Sequence, residues 1–255
     1  MRASVAIGNR VFAPSLLMSA ITLVLLTFFV MLGRWQWSRG NQKQQLREEF
    51  VHGGNAAEPL GSRDLASVPR FQRLTLTGRY DGARQFLLDN RSYEGRAGYE
   101  VLTPFVLDDS RMLLVDRGWI ASSGFRDRAP DVSLQPASTA DSATAVAQGT
   151  ISIRGRYDEL PHAGLATGHA PPASGRWPKL TSYPTTTELA EALGSTLQPG
   201  LLLLDAGQSA GYTRAWQPPG MAPERHWSYA IQWWSFAVLL VGLFIGMNLR
   251  KSVTT

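Results

Sequence analysis

No cysteine occurs anywhere in the 255 residues. Its absence excludes disulfides, thiolate metal sites, C-x-x-C redox chemistry and covalent c-type haem attachment, so any metal or haem must be held by His, Met or carboxylates. Also missing are the G-x-S-x-G, H-E-x-x-H, P-loop and dinucleotide-binding fingerprints. No other catalytic constellation stands in their place, and the chain reads as a non-enzyme. Charge of one sign is lacking too. The net +5 owes four positive charges to the tails (Arg2, Arg10, Arg250, Lys251), and Arg34 to Arg225 holds 21 basic and 20 acidic residues. That balance leaves no nucleic-acid footprint.

What is present is two long apolar runs, one near each end. The first, Ala13 to Leu32, has twenty uncharged residues; it exceeds a signal-peptide core, and no small-x-small cleavage site precedes Arg34-Trp35. It is read as a retained transmembrane helix over 13–33. The second, Tyr229 to Met247, has nineteen uncharged residues, or about 28 Å of helix, close to the hydrocarbon thickness of a bilayer. It predicts a span over 226–248. Two spans put both termini on one side. The tails, 1–12 and 249–255, carry only positive charge, which places them in the cytoplasm and residues 34–225 outside the bacterial inner (plasma) membrane. Arg34, Arg39 and Lys43 oppose this mildly, although so long a loop translocates largely regardless of charge.

On a helix His226, Ala230, Trp233, Ala237, Leu240 and Phe244 share one stripe. The opposite stripe carries Ser235, Gly242 and Gly246, and the G-x-x-x-G spacing suits close approach by another helix. The reading is therefore a helix-packing face at the glycines and a ligand or partner face at His226. Beyond the first span, Trp35 and Trp37 read as interfacial aromatics on a helix that continues a few turns.

The central region alternates as strands do. Arg70 to Tyr80 ends in the turn signal Asp81-Gly82, with Gln85 to Asn90 as the returning strand of a hairpin. Tyr99–Leu107 and Arg111–Trp119 predict a second hairpin. Gly149–Asp158 resumes the alternation and repeats Gly78-Arg79-Tyr80-Asp81 as Gly155-Arg156-Tyr157-Asp158, suggesting related strand units in a small barrel or sandwich. Thr186–Leu193 reads as a short helix opened by threonine caps, and Gly200–Asp205 as a buried strand. Residues 121–148, rich in Ala, Ser, Thr, Pro and Asp, read as a mobile insertion. The fold class is thus membrane-anchored and mainly β (α+β), with two terminal helices flanking an extracytoplasmic domain.

His226 is the sharpest site candidate. It lies about one turn outside the apolar core, where a neutral imidazole can serve as an axial haem ligand, and Tyr229 and Trp233 nearby offer planes for a macrocycle. The competing reading is an interfacial histidine. Arg91 and Arg117 each follow a strand, where a guanidinium can grip a carboxylate or a propionate, or else pair with a neighbouring Asp. Gly95 and Gly98 read as turn glycines. His162 and His169 have no third ligand at a recognisable spacing.

Four ordered blocks then act together: Leu32-Gly33, Trp35-Gln36, Arg39 and Lys43; Asn90-Arg91, Gly95, Gly98-Tyr99 and Leu102-Thr103-Pro104; Val115 through Ile120; and His226, Tyr229-Ala230, Gln232-Trp233. With these the chain resembles the surfeit locus protein one family. The resemblance implies an assembly factor for cytochrome c oxidase. It implies that haem A is bound at His226 and passed to oxidase subunit I, with haem A synthase and the lipid bilayer as further partners. A haem-free scaffold for oxidase intermediates is the other reading. A membrane-tethered hydrolase using His162 or His169 is a third.

Overall fold

A computed structural model describes residues 5–7, 10–53, 56–124, 129–134, 149–161 and 171–251. Its elements, in chain order, are β1 (Val5–Ile7), β2 (Arg10–Phe12), α1 (Leu16–His52), β3 (Glu58–Pro59), a 3₁₀ turn (Leu65–Ser67), β4 (Arg73–Tyr80), β5 (Phe86–Tyr93), β6 (Arg96–Leu107), β7 (Met112–Ala121), β8 (Ile151–Asp158), β9 (Lys179–Thr181), α2 (Thr186–Leu193), β10 (Leu201–Leu204), α3 (Pro223–Asn248) and β11 (Leu249–Lys251). The chain divides into two compact units. One is helical (Met1–Val51 with Pro218–Thr255) and the other is the β unit (His52–Gln217).

In the helical unit, Ser15 Oγ accepts from Met18 N–H and starts α1, as an N-cap residue does. Pro223 stands at the start of α3, where its missing N–H costs nothing. Both helices are long and apolar enough to cross a membrane. Large apolar side chains such as Leu16 (75% exposed) and Val238 (73%) face outward, a surface that lipid would cover. α1 has 37 residues, about 55 Å at 1.5 Å per residue, so it extends well past a hydrocarbon layer of about 30 Å.

The helices pack antiparallel through a seam that repeats every seven residues. Gly33 and Gly40 of α1 lie under the indoles of Trp234 and Trp227, where a Cβ would meet ring atoms. Ala230 and Ala237, on the same side of α3, are buried. This seven-residue spacing is that of knobs set into holes. It corrects the assignment of faces. The stripe containing His226, Ala230 and Ala237 is the one turned toward α1, whereas a Cβ on Gly242 or Gly246 would meet nothing within 4 Å. Beyond the apolar layer, Arg47 pairs with Glu224 at 2.8 Å and Lys43 Nζ donates to the Pro219 carbonyl at 3.2 Å. The tails also pair, β2 lying between β1 and β11 with both ladders antiparallel.

The β unit is a mixed sheet in the order β3-β4-β8-β10-β7-β6-β5-β9, with a further β4–β6 pairing. The pairings therefore run β4–β8–β10–β7–β6 and return to β4. Leu74, Leu76, Phe105, Leu113, Val115, Ile153, Leu202 and Leu204 fill the interior with Tyr157. A fully buried Leu or Phe contributes roughly 1.5–3 kcal/mol. β10 is buried at all four positions because it sits between β8 and β7, which explains its uninterrupted run of leucines.

The β6–β7 hairpin pairs as expected, Phe105 opposite Leu113. The first hairpin does not. β4 pairs with β8 and β6, while β5 pairs with β6 and, in parallel, with β9. Asp81 still makes a turn, accepting from Ala83 N–H and Arg84 Nε, but the chain leaves for the next strand position instead of doubling back. α2 carries the threonine cap, in full as a capping box between Thr185 and Glu188. The reading of 121–148 as wholly mobile is also corrected in part. β7 runs to Ala121, and Val132 is 4% exposed with its carbonyl accepting from Gln85 and Arg117. Residues 125–128 and 135–148, like 162–170 with His162 and His169, lie outside the described residues.

Candidate functional site

His226 sits one turn into α3, half-buried, with its Nδ1 2.8 Å from Gln36 Oε1 of α1. An amide oxygen only accepts, so Nδ1 carries the proton and the lone pair of neutral imidazole is left on Nε2. Metal-ligating histidines are commonly fixed in this way, the second nitrogen donating to a carbonyl or carboxylate. Aromatic side chains surround the contact. Trp37 lies 6.1 Å from Trp227 and 5.8 Å from Trp234 between ring centroids, and Trp227 Nε1 donates to Asn41 Oδ1 at 3.2 Å. Tyr229 is 46% exposed. Trp233 stacks on Phe29 at 5.8 Å and meets Phe28 edge-on at 6.4 Å. Its plane is thus already packed within the helix pair.

Gln36 was not singled out by sequence as a partner of His226. The available signal was Gly33, Gln36 and Gly40 on one stripe of α1, obscured by tryptophans on either side of the glutamine.

The structure does not bring the two arginines into this unit; both belong to the β unit. Arg117 is 2% exposed. Its Nε donates to the Ala210 carbonyl at 2.6 Å and its Nη1 to Gln85 Oε1 at 2.8 Å and the Val132 carbonyl at 3.1 Å, with Tyr212 under the guanidinium. These bonds tie β7 to two loops. Burial lowers the Arg117 pKa, opposed by Tyr212 and Tyr80, and burial likewise pushes the Tyr80 phenol up to about 12 against the pull of Arg117 and Arg214.

Arg91 follows a bulge in β5 where Asn90 takes a positive φ of 61°. Its Nε lies 3.0 Å from Glu100 Oε2. Gly95 is a turn residue with φ 75°, whereas Gly98 lies within β6 opposite Arg91. Burial raises the Glu100 carboxyl, opposed by Arg91. Nearby, Asp116 accepts from Gly118 N–H at 2.9 Å and is held well above the usual carboxylate range, by burial first and then by Glu100.

A carboxyl raised in the folded state stabilises the fold while it is protonated, and that contribution is lost as pH rises through the folded value. Asp116→Asn keeps an acceptor for Gly118. It is therefore expected to flatten the fall in urea-unfolding midpoint from the ordinary carboxylate range upward, and to be at least as stable as the parent at neutral pH. A variant less stable than the parent at neutral pH would show that Asp116 works as an anion.

Residues 23–238 match the SURF1 family. Among curated proteins, an uncharacterised SURF1-like protein of Mycobacterium bovis is 29% identical over 234 residues, covering 89% of this chain and 80% of the relative. A Mycobacterium tuberculosis counterpart gives the same figures. A SURF1-like protein of Rickettsia felis is 26% identical over 105 residues, 40% of this chain and 46% of its own length.

Proposed function

Because the chain belongs to the SURF1 family, whose members are known generally as oxidase assembly factors rather than enzymes, we propose that it carries haem A to cytochrome c oxidase subunit I. The observation that supports this most is the Nδ1–Gln36 hydrogen bond, which prepares Nε2 of His226 as a neutral donor. Bound haem A would supply an iron able to take an imidazole ligand. The chain would supply a single imidazole, and one protein ligand suits a carrier, since the acceptor's own histidines can then outcompete it.

Ala230 is fully buried against α1, so a ligand of His226 has to approach from the flank where Tyr229 is exposed, and not between the helices. Trp233 contributes from below by fixing the local packing. The two apolar helices serve as membrane anchors with the tails cytoplasmic. The cyclic strand pairing supports reading the β unit as a small barrel; the proposal places it outside the membrane of a bacterial cell, with haem A synthase as the donor. Arg117, whose donors are engaged inside the unit, is assigned to the fold.

The test is the absorption spectrum of the full chain purified from cells that make haem A. A haem Soret band in the purified chain supports the carrier. A colourless protein that still binds oxidase intermediates supports the haem-free scaffold, for which the helix pair and β unit are equally suited.

A further inference from the structure

The β unit holds a cavity of about 290 Å³ lined by Arg91, Tyr93, Glu100, Trp119, Thr213 and Trp216, among others. Apart from Arg91 Nε, which lies 3.0 Å from Glu100 Oε2, two buried donors on its lining residues, Arg91 Nη2 and Trp119 Nε1, have no hydrogen-bond partner among the described residues. A buried donor left unpaired costs roughly 1–3 kcal/mol, and more when charged. Two such donors at one cavity call for an acceptor with two oxygens.

The walls are built before any ligand arrives. Gly98 leaves room for the Trp119 indole, since a Cβ there would lie 2.6 Å from Nε1. Trp119 N–H donates to the Thr213 carbonyl at 2.8 Å, and Thr213 N–H donates back at 3.1 Å. Trp216 Nε1 donates to the Leu204 carbonyl at 2.8 Å. Three aromatic side chains thus face a small space with a guanidinium at its edge, a surface suited to a flat apolar body.

We infer that this cavity binds a carboxylate on a flat apolar molecule, with Arg91 Nη2 and Trp119 Nε1 donating to its oxygens and Glu100 taking up one proton as it enters. Arg91 and Glu100 together are neutral. A second carboxylate beside Glu100 would set two negative charges around one guanidinium, and protonating Glu100 removes the excess. Burial already raises the Glu100 carboxyl, opposed by Arg91. The groups facing Glu100 are Arg91 and Tyr93 from β5 and Asp116 from β7, itself raised by burial. Arg214, on the 213–216 wall, directs Nη1 to the Asp205 and Gln208 carbonyls.

Calorimetric titration of 3-phenylpropionate into the detergent-solubilised full chain tests this. Binding is expected at acid pH, with uptake of one proton measured across buffers of different ionisation enthalpy. Kd should rise about tenfold per pH unit above the Glu100 titration. Glu100→Gln should bind without that pH dependence, and Arg91→Gln should weaken binding more than about tenfold.

If protohaem displaces the probe and its dimethyl ester does not, the natural carboxylate is a porphyrin propionate. If neither displaces it, the ligand is a free acid. The inference is overturned by absence of binding at millimolar probe in a chain with native near-ultraviolet circular dichroism, by pH-independent binding to the parent, or by unchanged binding in Arg91→Gln. Each of these leaves the iron spectrum at His226 unaffected, so the two readings fail separately.

Discussion

His226→Ala is expected to abolish the haem Soret band of the purified chain and to weaken haem A binding by more than about 100-fold. The bound comes from the supporting shell: removing the hydrogen-bond partner of a ligating histidine alone typically costs 10–100-fold, and deletion of the ligand should cost more. Gln36→Leu supplies that smaller loss. It leaves the imidazole in place but removes the acceptor 2.8 Å from Nδ1, so the ring can turn and the proton can move to the other nitrogen. A graded series, with parent above Gln36→Leu and Gln36→Leu above His226→Ala, would mark His226 as the iron ligand with Gln36 orienting it. An unchanged band in His226→Ala would assign the iron to another side chain.

A large effect on stability is expected at Gly155. A Cβ there would collide with the Leu203 carbonyl oxygen and the Leu202 side chain, and Gly155 is paired with Leu204 in the β8–β10 ladder. Neither backbone can retreat without breaking the ring of strands. Gly155→Val should therefore cost about 3 kcal/mol or more, the upper end of overpacking penalties, against a total that is usually 5–15 kcal/mol. Limited proteolysis and urea unfolding of the detergent-solubilised chain provide the readout. Gly95→Ala is the control, because nothing lies within 4 Å of its Cβ position and only the positive φ of 75° is penalised. A Gly155→Val chain as resistant as the parent would mean that β8 and β10 do not pack this closely.

The same glycine explains why the sequence repeat was informative. Gly78 and Gly155 occupy equivalent places: each lies where a Cβ would meet a carbonyl oxygen of a neighbouring strand, Val106 for the first and Leu203 for the second. The echo reflected a shared packing demand. Features carried by local pattern were legible, among them both membrane-length helices, the β6–β7 hairpin, the capped α2 and the buried β10.

Features that depend on the partner were not. Alternation marks β4 as a strand but says nothing of its pairing with β8 and β6, which lie far along the chain. Periodicity found the stripe through His226 and Ala230, yet whether a stripe faces lipid, ligand or helix depends on a second sequence, that of α1. The G-x-x-x-G pair at Gly242 and Gly246 is not where α1 packs; that contact is made by bulky indoles over Gly33 and Gly40. Val132 was hidden by the composition around it, a buried apolar residue among polar ones. Arg91 was visible as a candidate, but its unpaired nitrogen and the cavity beside it exist only once β5, β6 and β7 are assembled.

The indole-over-glycine seam also restricts how the helix pair can move. Sliding α3 along α1 by one turn would drive both tryptophans against side chains that have no room for them, at two levels simultaneously. The seam thereby opposes piston motion of one helix along the other. A change at the His226 end would then be relayed by rotation of side chains or by tilting of the helix pair as a whole.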